Sequence, residues 1–111
     1  MLFLVRVEVR EALPTELGDL LDRVVLEWET VSKFVADGRI KAGGKLAGRR
    51  GAVAVFEIED SAALKRIVED LPLSPYFSKV EILPIIPPDE ALAAARRWKA
   101  LYSSRASSSR S

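Results

Sequence analysis

The sequence predicts a single α+β domain in which two helices cover one face of a four-stranded antiparallel sheet. Three observations lead to this fold class. The chain has 111 residues and is 49% hydrophobic, which suits one domain with a real core. Four segments have the alternation typical of strands, and three have helical periodicity. Their order, βαββαβ followed by an extra helix, is the split pattern of ferredoxin-like sandwiches.

The predicted strands cover residues 2–9, 39–48, 49–59 and 77–86, and a turn at 48–51 joins the middle two. Each strand has one fully apolar face for the helices. The opposite face is mixed, and its apolar members are Leu2, Leu4, Val53, Val55 and Leu83. Burying such side chains is worth roughly 1.5–3 kcal/mol each. We therefore expect a second copy to cover this face in a dimeric α/β barrel; the alternative is a monomer whose third helix folds over it.

The three predicted helices have recognisable ends. The first spans 13–38, capped by Thr15 and ended by Gly38, and the second spans 60–71, capped by Asp60 or Ser61. The first helix has an apolar stripe that we expect to be buried, formed by Leu17, Leu21, Val24, Trp28, Val31 and Val35. The extra helix covers 88–102, so the domain is predicted at 1–102, and the serine-rich tail 103–111 is expected to be disordered.

Composition excludes several classes of function. The chain has no cysteine and no histidine, which argues against a disulfide scaffold, thiolate chemistry and a metal cofactor. Its net charge of +1 gives no nucleic-acid footprint, and Ala52 and Ala54 stand where an RNA-recognition sheet needs aromatic side chains. No stretch resembles a signal peptide or a membrane span, so we expect a cytoplasmic protein without membrane partners.

Several residues are candidates for a site. Glu27 borders the apolar stripe beside Trp28, where a carboxyl group with a raised pKa can carry a proton; the alternative is a glutamate at the solvent border. Lys41 and Lys45 share a strand parity, and two glycines lie between them. Such glycines often mark a bulge or close approach, so the lysines could hold a small carboxylate; the alternative is a solvated hairpin.

The segment LPLSPYF, residues 71–77, links the second helix to the last strand. Pro72 ends the helix, and Pro75 stiffens the turn. Two interpretations of the aromatic pair remain open. Tyr76 and Phe77 either anchor a rigid corner in the core or form one wall of a pocket.

Three segments in register resemble the muconolactone isomerase family: MLFLVRVEV at the N-terminus, GRRGAVAVFEI at 48–58 and LPLSPY at 71–76. The resemblance covers about residues 1 to 88. It implies a ferredoxin-like dimeric α/β barrel, assembled into larger rings such as decamers. It also implies a cofactor-free enzyme of aromatic catabolism that moves a double bond in a small carboxylate-bearing lactone.

The resemblance also implies roles for individual residues. Glu27 matches the family's helix glutamate, Lys41 and Lys45 fall where the family has arginines, and Arg6 and Tyr76 match directly. The leading hypothesis is an isomerase in which Glu27 shuttles the proton. The cations hold the anionic charge of the substrate, and Tyr76 and Trp28 wall the pocket.

Two alternatives remain beside the isomerase hypothesis. Pro87 and Pro88 replace the family's histidine after the last strand, and IKAGGK replaces its aromatic second strand. These differences favour a non-catalytic oligomeric module that binds small molecules. The third hypothesis is an oxygen-dependent monooxygenase of the same broad barrel type.

Overall fold

The computed structural model describes residues 1–110, which form four strands and three helices. In chain order these are β1 (Leu2–Val9), α1 (Leu17–Ala36), β2 (Ile40–Lys45), β3 (Gly51–Glu57), α2 (Ser61–Glu69), β4 (Phe77–Ile85) and α3 (Pro88–Arg110). The strands form one sheet in the order β2-β3-β1-β4, and all neighbouring strands are antiparallel. The α+β, ferredoxin-like prediction is confirmed.

The core lies between α1, α2 and one face of the sheet, which we call the inner face. Phe3, Val5 and Val7 of β1 are buried there, and the residues that alternate with them point to the opposite, outer face. Leu64 of α2 is completely buried against this layer. Phe34 of α1 meets Phe56 of β3 edge to face, with ring centroids 6.1 Å apart.

Helix α1 is rotated relative to the predicted buried stripe. Leu17, Leu21 and Val35 are half exposed. Of the predicted stripe, Val24, Trp28 and Val31 do lie on the inward side of the helix. Leu20, Glu27 and Phe34 were not in that stripe and complete the face that packs on the sheet and the neighbouring corner. Apolar residues cover a wide arc of this helix, so the predicted and observed faces overlap, and contact with the sheet fixes the rotation. The selected face carries Glu27 into the core.

The predicted helix caps have different outcomes. Asp60 caps α2 as expected, since its Oδ1 accepts a hydrogen bond from the Ala63 N–H at 2.7 Å. Thr15 does not cap α1. That helix follows a 3₁₀ turn at Pro14–Glu16, where the Glu16 carboxylate accepts the Leu13 N–H at 2.9 Å. Glu16 thus binds a backbone donor that precedes the turn, and no side chain caps α1 itself.

Helix α3 does not cover the outer face of the sheet. Every side chain from Pro88 to Arg105 is exposed, and the molecule measures 75 × 28 × 25 Å because α3 projects from the body. Leu83 on the outer face remains 49% exposed. The alternative of a monomer shielded by its third helix is therefore wrong for this structure.

The helix also extends beyond its predicted end at residue 102. It continues to Arg110, through a segment that contains neither glycine nor proline to stop it. Residue 111, the end of the expected tail, lies outside the described residues. Within residues 1–110, no helix is long and apolar enough to cross a membrane.

Gly43 lies at a point where the backbone of β3 leaves no room for a side chain on β2. A bulge separates Ile40 from Ala42, and Gly43 then adopts a φ of +156° opposite Ala54. A Cβ atom on Gly43 would lie 2.5 Å from the Val53 carbonyl oxygen and 2.8 Å from Ala54 Cα. The glycines of β2 were expected to mark a bulge or a close approach, and both are observed. The group that lies close to Gly43 is the backbone of β3.

This contact predicts different effects for two adjacent substitutions. Gly43→Ala should lower the free energy of unfolding by about 1–3 kcal/mol, because the backbone of β3 cannot easily move away. Gly44→Ala is the control, since a Cβ there meets open space, and it should change stability by no more than about 0.5 kcal/mol. Urea unfolding of both variants checks the prediction, and equal stabilities would contradict it.

Candidate active site

A cavity of about 210 Å³ lies between α1, the inner face and the corner formed by residues 71–77. Its lining residues are Val7, Val9, Leu20, Val24, Glu27, Trp28, Val31, Lys45, Arg50, Gly51, Ala52, Leu73 and Phe77. The small residues of β3 leave the space, and most of the wall is apolar. Three charged side chains of the described residues reach it: Glu27, Lys45 and Arg50. Such a site suits a small ligand held by a few polar groups.

Glu27 is the one buried charged residue in the part of the chain that is described, with 6% of its surface exposed. Its Oε1 accepts a hydrogen bond from the Leu73 N–H at 3.1 Å. Oε2 accepts no hydrogen bond from the described residues, which leaves it available to the cavity. Burial raises the pKa of Glu27, and the Leu73 bond opposes that rise in part. The group can therefore both accept and donate a proton.

The corner LPLSPYF is what brings a backbone donor to Glu27. Leu71, Leu73 and Tyr76 are buried, and Ser74–Tyr76 forms a 3₁₀ turn that includes Pro75. Phe77 then lines the cavity at the start of β4. The corner thus has core anchors, as one interpretation expected, and it also forms part of the cavity wall.

Polar contacts tie this corner to α1. The Arg23 guanidinium donates to the Pro72 carbonyl oxygen at 2.8 Å. The Tyr76 hydroxyl donates to Asp19 Oδ2 at 2.8 Å, and Arg23 Nε donates to the same oxygen at 2.9 Å. The guanidinium of Arg10 lies over the Tyr76 ring, 4.7 Å from its centroid.

Three of the predicted site residues, Glu27, Trp28 and Lys45, come together at the cavity. The Lys45 ammonium group donates to the carbonyl oxygens of Arg49 at 3.1 Å and Leu46 at 3.3 Å, so it sits at the hairpin beside the cavity. Lys41 does not line the cavity. It lies next to the bulge in β2, four residues before Lys45 and roughly 13 Å from it along the strand.

The structure places the other two predicted residues away from the cavity. Arg6 points to the outer face, because it alternates with the buried residues of β1, and its guanidinium donates to Glu8 at 3.3 Å. Tyr76 packs against Leu20 and Leu73 on the far side of the corner, so Phe77 forms the wall that Tyr76 was expected to form.

Two groups at the cavity were not among the predicted site residues. Arg50 lies in the turn before β3, and its position two residues before Ala52 gives it the parity of the inner face. The Leu73 N–H is a main-chain group, so no residue type in the sequence indicates that it binds Glu27. Within the described residues, no cluster of three or more acidic side chains could hold a metal ion.

The raised pKa of Glu27 predicts a pH-dependent stability. A folded pKa above the ordinary value of 4.5 means that the folded protein binds this proton more tightly than the unfolded chain does. The stabilisation is complete below the ordinary pKa and is lost as the pH rises through the folded pKa. Compared with Glu27→Gln, the wild type should therefore lose melting temperature with rising pH. Melting curves from pH 4 to 8 measure this, and parallel profiles would refute it.

Two solved structures share this fold. Muconolactone isomerase superimposes with a TM-score of 0.69 and 24% identity, over 79% of this chain and 92% of that one. The second structure is the 5-chloro-2-hydroxyhydroquinone dehydrochlorinase from Burkholderia phenoliruptrix AC1100 in complex with 2,5-dihydroxybenzoquinone. It superimposes with a TM-score of 0.65 and 20% identity, over 81% of this chain and 98% of that one. At these identities the likeness establishes the fold. A search of curated proteins finds no match.

A family model described as muconolactone delta-isomerase matches residues 1–90, which is 90 of the 111 residues. The match includes all four strands, α1, α2 and every residue that lines the cavity. Most of α3 lies beyond it. The chain belongs to the muconolactone delta-isomerase family.

Proposed function

We propose that the protein is a cofactor-free isomerase that moves a carbon–carbon double bond in a small anionic lactone or enol-type compound. The observation that carries this proposal is a buried glutamate, Glu27, that lines a small apolar cavity, with one oxygen held by a backbone N–H and the other without a hydrogen bond from the described residues. The family supports the reaction class. The names of both structural neighbours involve small oxygenated rings of aromatic catabolism.

The proposed reaction needs only one proton carrier. The Glu27 carboxylate removes a proton from the γ carbon of the α,β-unsaturated carbonyl compound, and the electron pair of that C–H bond moves into a dienolate. The resulting carboxylic acid then returns the proton to a carbon two atoms away, which shifts the double bond and restores the carboxylate. A raised pKa suits the first step, because it makes the carboxylate a stronger base, and the acid formed there is the proton donor of the second step.

The dienolate oxygen and the substrate carboxylate need positive partners. Lys45 and Arg50 are the cations that line the cavity, so the proposal assigns the negative charge to them. Trp28 and Phe77 contribute apolar walls that exclude water. Arg6 and Lys41 lie outside this arrangement in the single chain.

A pair of substitutions tests the role of Glu27. Glu27→Gln keeps the side-chain shape and an acceptor for the Leu73 N–H, yet it cannot carry the proton, so turnover of muconolactone should fall by at least about 100-fold. Glu29→Gln on the exposed side of the same helix is the control and should keep wild-type turnover. Reaction progress is followed by proton NMR. Equal rates in wild type and Glu27→Gln would remove Glu27 from the mechanism.

The alternative is a binding module of the same fold. It is favoured by the prolines at 87 and 88, where the resemblance places a histidine. Turnover and binding measured together distinguish the two functions. Small carboxylates that raise the melting temperature without being converted would establish the binding module, and wild type that leaves muconolactone unchanged would remove that substrate.

We also propose that two copies pair through the outer faces of their sheets. The apolar side chains there are uncovered, and Leu83 is the most exposed of the five predicted members. Arg6 supports the same interface, because its Nε is buried without a hydrogen-bond partner in the described chain. A buried N–H without a partner is unfavourable, and a second copy can supply the acceptor.

Light scattering tests this pairing. The wild type should have at least twice the 12.3 kDa mass of one chain. Leu83→Glu should dissociate it, because the substitution places a charge in the centre of an apolar contact. Leu21→Glu, on the half-exposed side of α1, is the control and should leave the mass unchanged. A wild-type mass of 12.3 kDa at high protein concentration would exclude the pairing.

A further inference from the structure

Asp19, Arg23 and Tyr76 form a connected set of hydrogen bonds that no step of the proposed reaction uses. Arg23 and Tyr76 both donate to Oδ2 of Asp19, at 2.9 and 2.8 Å. A second donor of Arg23, Nη1, donates to the Pro72 carbonyl oxygen at 2.8 Å. The set therefore joins α1 to both ends of the turn that separates Pro72 from Tyr76.

The contact with Pro72 has a direct link to Glu27. The Pro72 carbonyl and the Leu73 N–H belong to the same peptide unit, which is planar and trans. Arg23 holds the oxygen of this unit, and Glu27, one helical turn further along α1, accepts its N–H at 3.1 Å. Two side chains of one helix thus bind opposite ends of a single rigid group.

We propose that Asp19, Arg23 and Tyr76 act as a clamp that holds the Pro72–Leu73 peptide against α1 and so positions the Leu73 N–H on Glu27. Arg23 binds the carbonyl end, and its positive charge polarises the peptide, which strengthens the N–H as a donor. Asp19 orients the guanidinium, and Tyr76 anchors the far end of the corner. All three are positioning residues, since none lines the cavity.

The clamp matters because the Leu73 bond is what opposes the effect of burial on Glu27. Burial raises the pKa of Glu27 and the N–H bond lowers it, so loosening the peptide should raise the pKa further. The other charged groups that face the cavity are Lys45 on β2 and Arg50 before β3. Neither touches the clamp, so both should remain in place when the clamp is altered.

Tyr76→Phe is the decisive variant, because it removes one hydroxyl group and no charge. The titration of the Glu27 carboxyl carbon is followed by ¹³C NMR, with Glu27→Gln used to identify its resonance, and exchange of the Leu73 amide is measured in parallel. We expect the titration midpoint to move to higher pH and the Leu73 amide to exchange faster than in wild type.

Arg23→Met and Arg23→Lys complete the test. Arg23→Met should move the midpoint further than Tyr76→Phe does, and Arg23→Lys should restore part of the wild-type value. The control is Arg39→Met, which breaks a comparable ion pair of 2.7 Å with Asp37 at the other end of α1 and should leave the midpoint unchanged.

An unchanged midpoint and unchanged Leu73 exchange in Tyr76→Phe would overturn the clamp, even if Arg23→Met shifts the midpoint through its lost charge. The effect of the clamp on catalysis rests on the proposed function. If Glu27 is the base, the acid limb of the pH profile of kcat/KM should move together with the midpoint of the Glu27 titration. The titration needs no substrate, so a wild type without turnover would reject the proposed isomerase and leave the clamp to be decided by NMR.

Discussion

The burial of one carboxyl group constrains this protein more than any other interaction. Glu27 lies on the face of α1 that packs on the sheet and the corner, surrounded by apolar side chains, and its hydrogen bond within the described chain comes from the Leu73 backbone. An unpaired buried charge is unfavourable, and a carboxyl group in such a place responds by holding its proton more tightly. The helix, the corner and the sheet must all keep their places for that environment to exist.

Each neighbouring element contributes to this environment through an ordinary structural role. The small residues Gly51 and Ala52 of β3 leave the cavity open beneath α1. The two prolines keep the link after α2 short and stiff, so the amide of Leu73 arrives at a fixed distance from the helix. These features explain why a connection between a helix and a strand contains such an unusual string. Its rigidity holds a donor in place, and its buried leucines anchor it in the core.

The two faces of the sheet follow from alternation of side chains, and the ferredoxin-like architecture follows from the βαββαβ order of the elements, so the sequence was sufficient to predict both. The exact rotation of α1 was not predictable, because apolar residues cover a wide arc of the helix and contact with the sheet determines which of two overlapping faces is buried. Alternation along β1 places Arg6 on the opposite face of the sheet from Val5 and Val7. The role of Arg6 at the cavity was suggested by the family resemblance, against that alternation. The partner of Glu27 could not be found from the sequence, because it is a main-chain N–H 46 residues away.

The absence of histidine from the sequence gives the single carboxyl group of the cavity a demanding role. With a second titratable group, one could remove the proton and the other return it, and each pKa could suit one step. In the proposed isomerisation, Glu27 alone must be base and then acid, so both its ionised and its protonated forms are needed. Burial favours the protonated form, and the hydrogen bond from the Leu73 amide opposes that effect by favouring the carboxylate that must remove the proton. The geometry of the corner therefore bears directly on the chemistry available to the cavity.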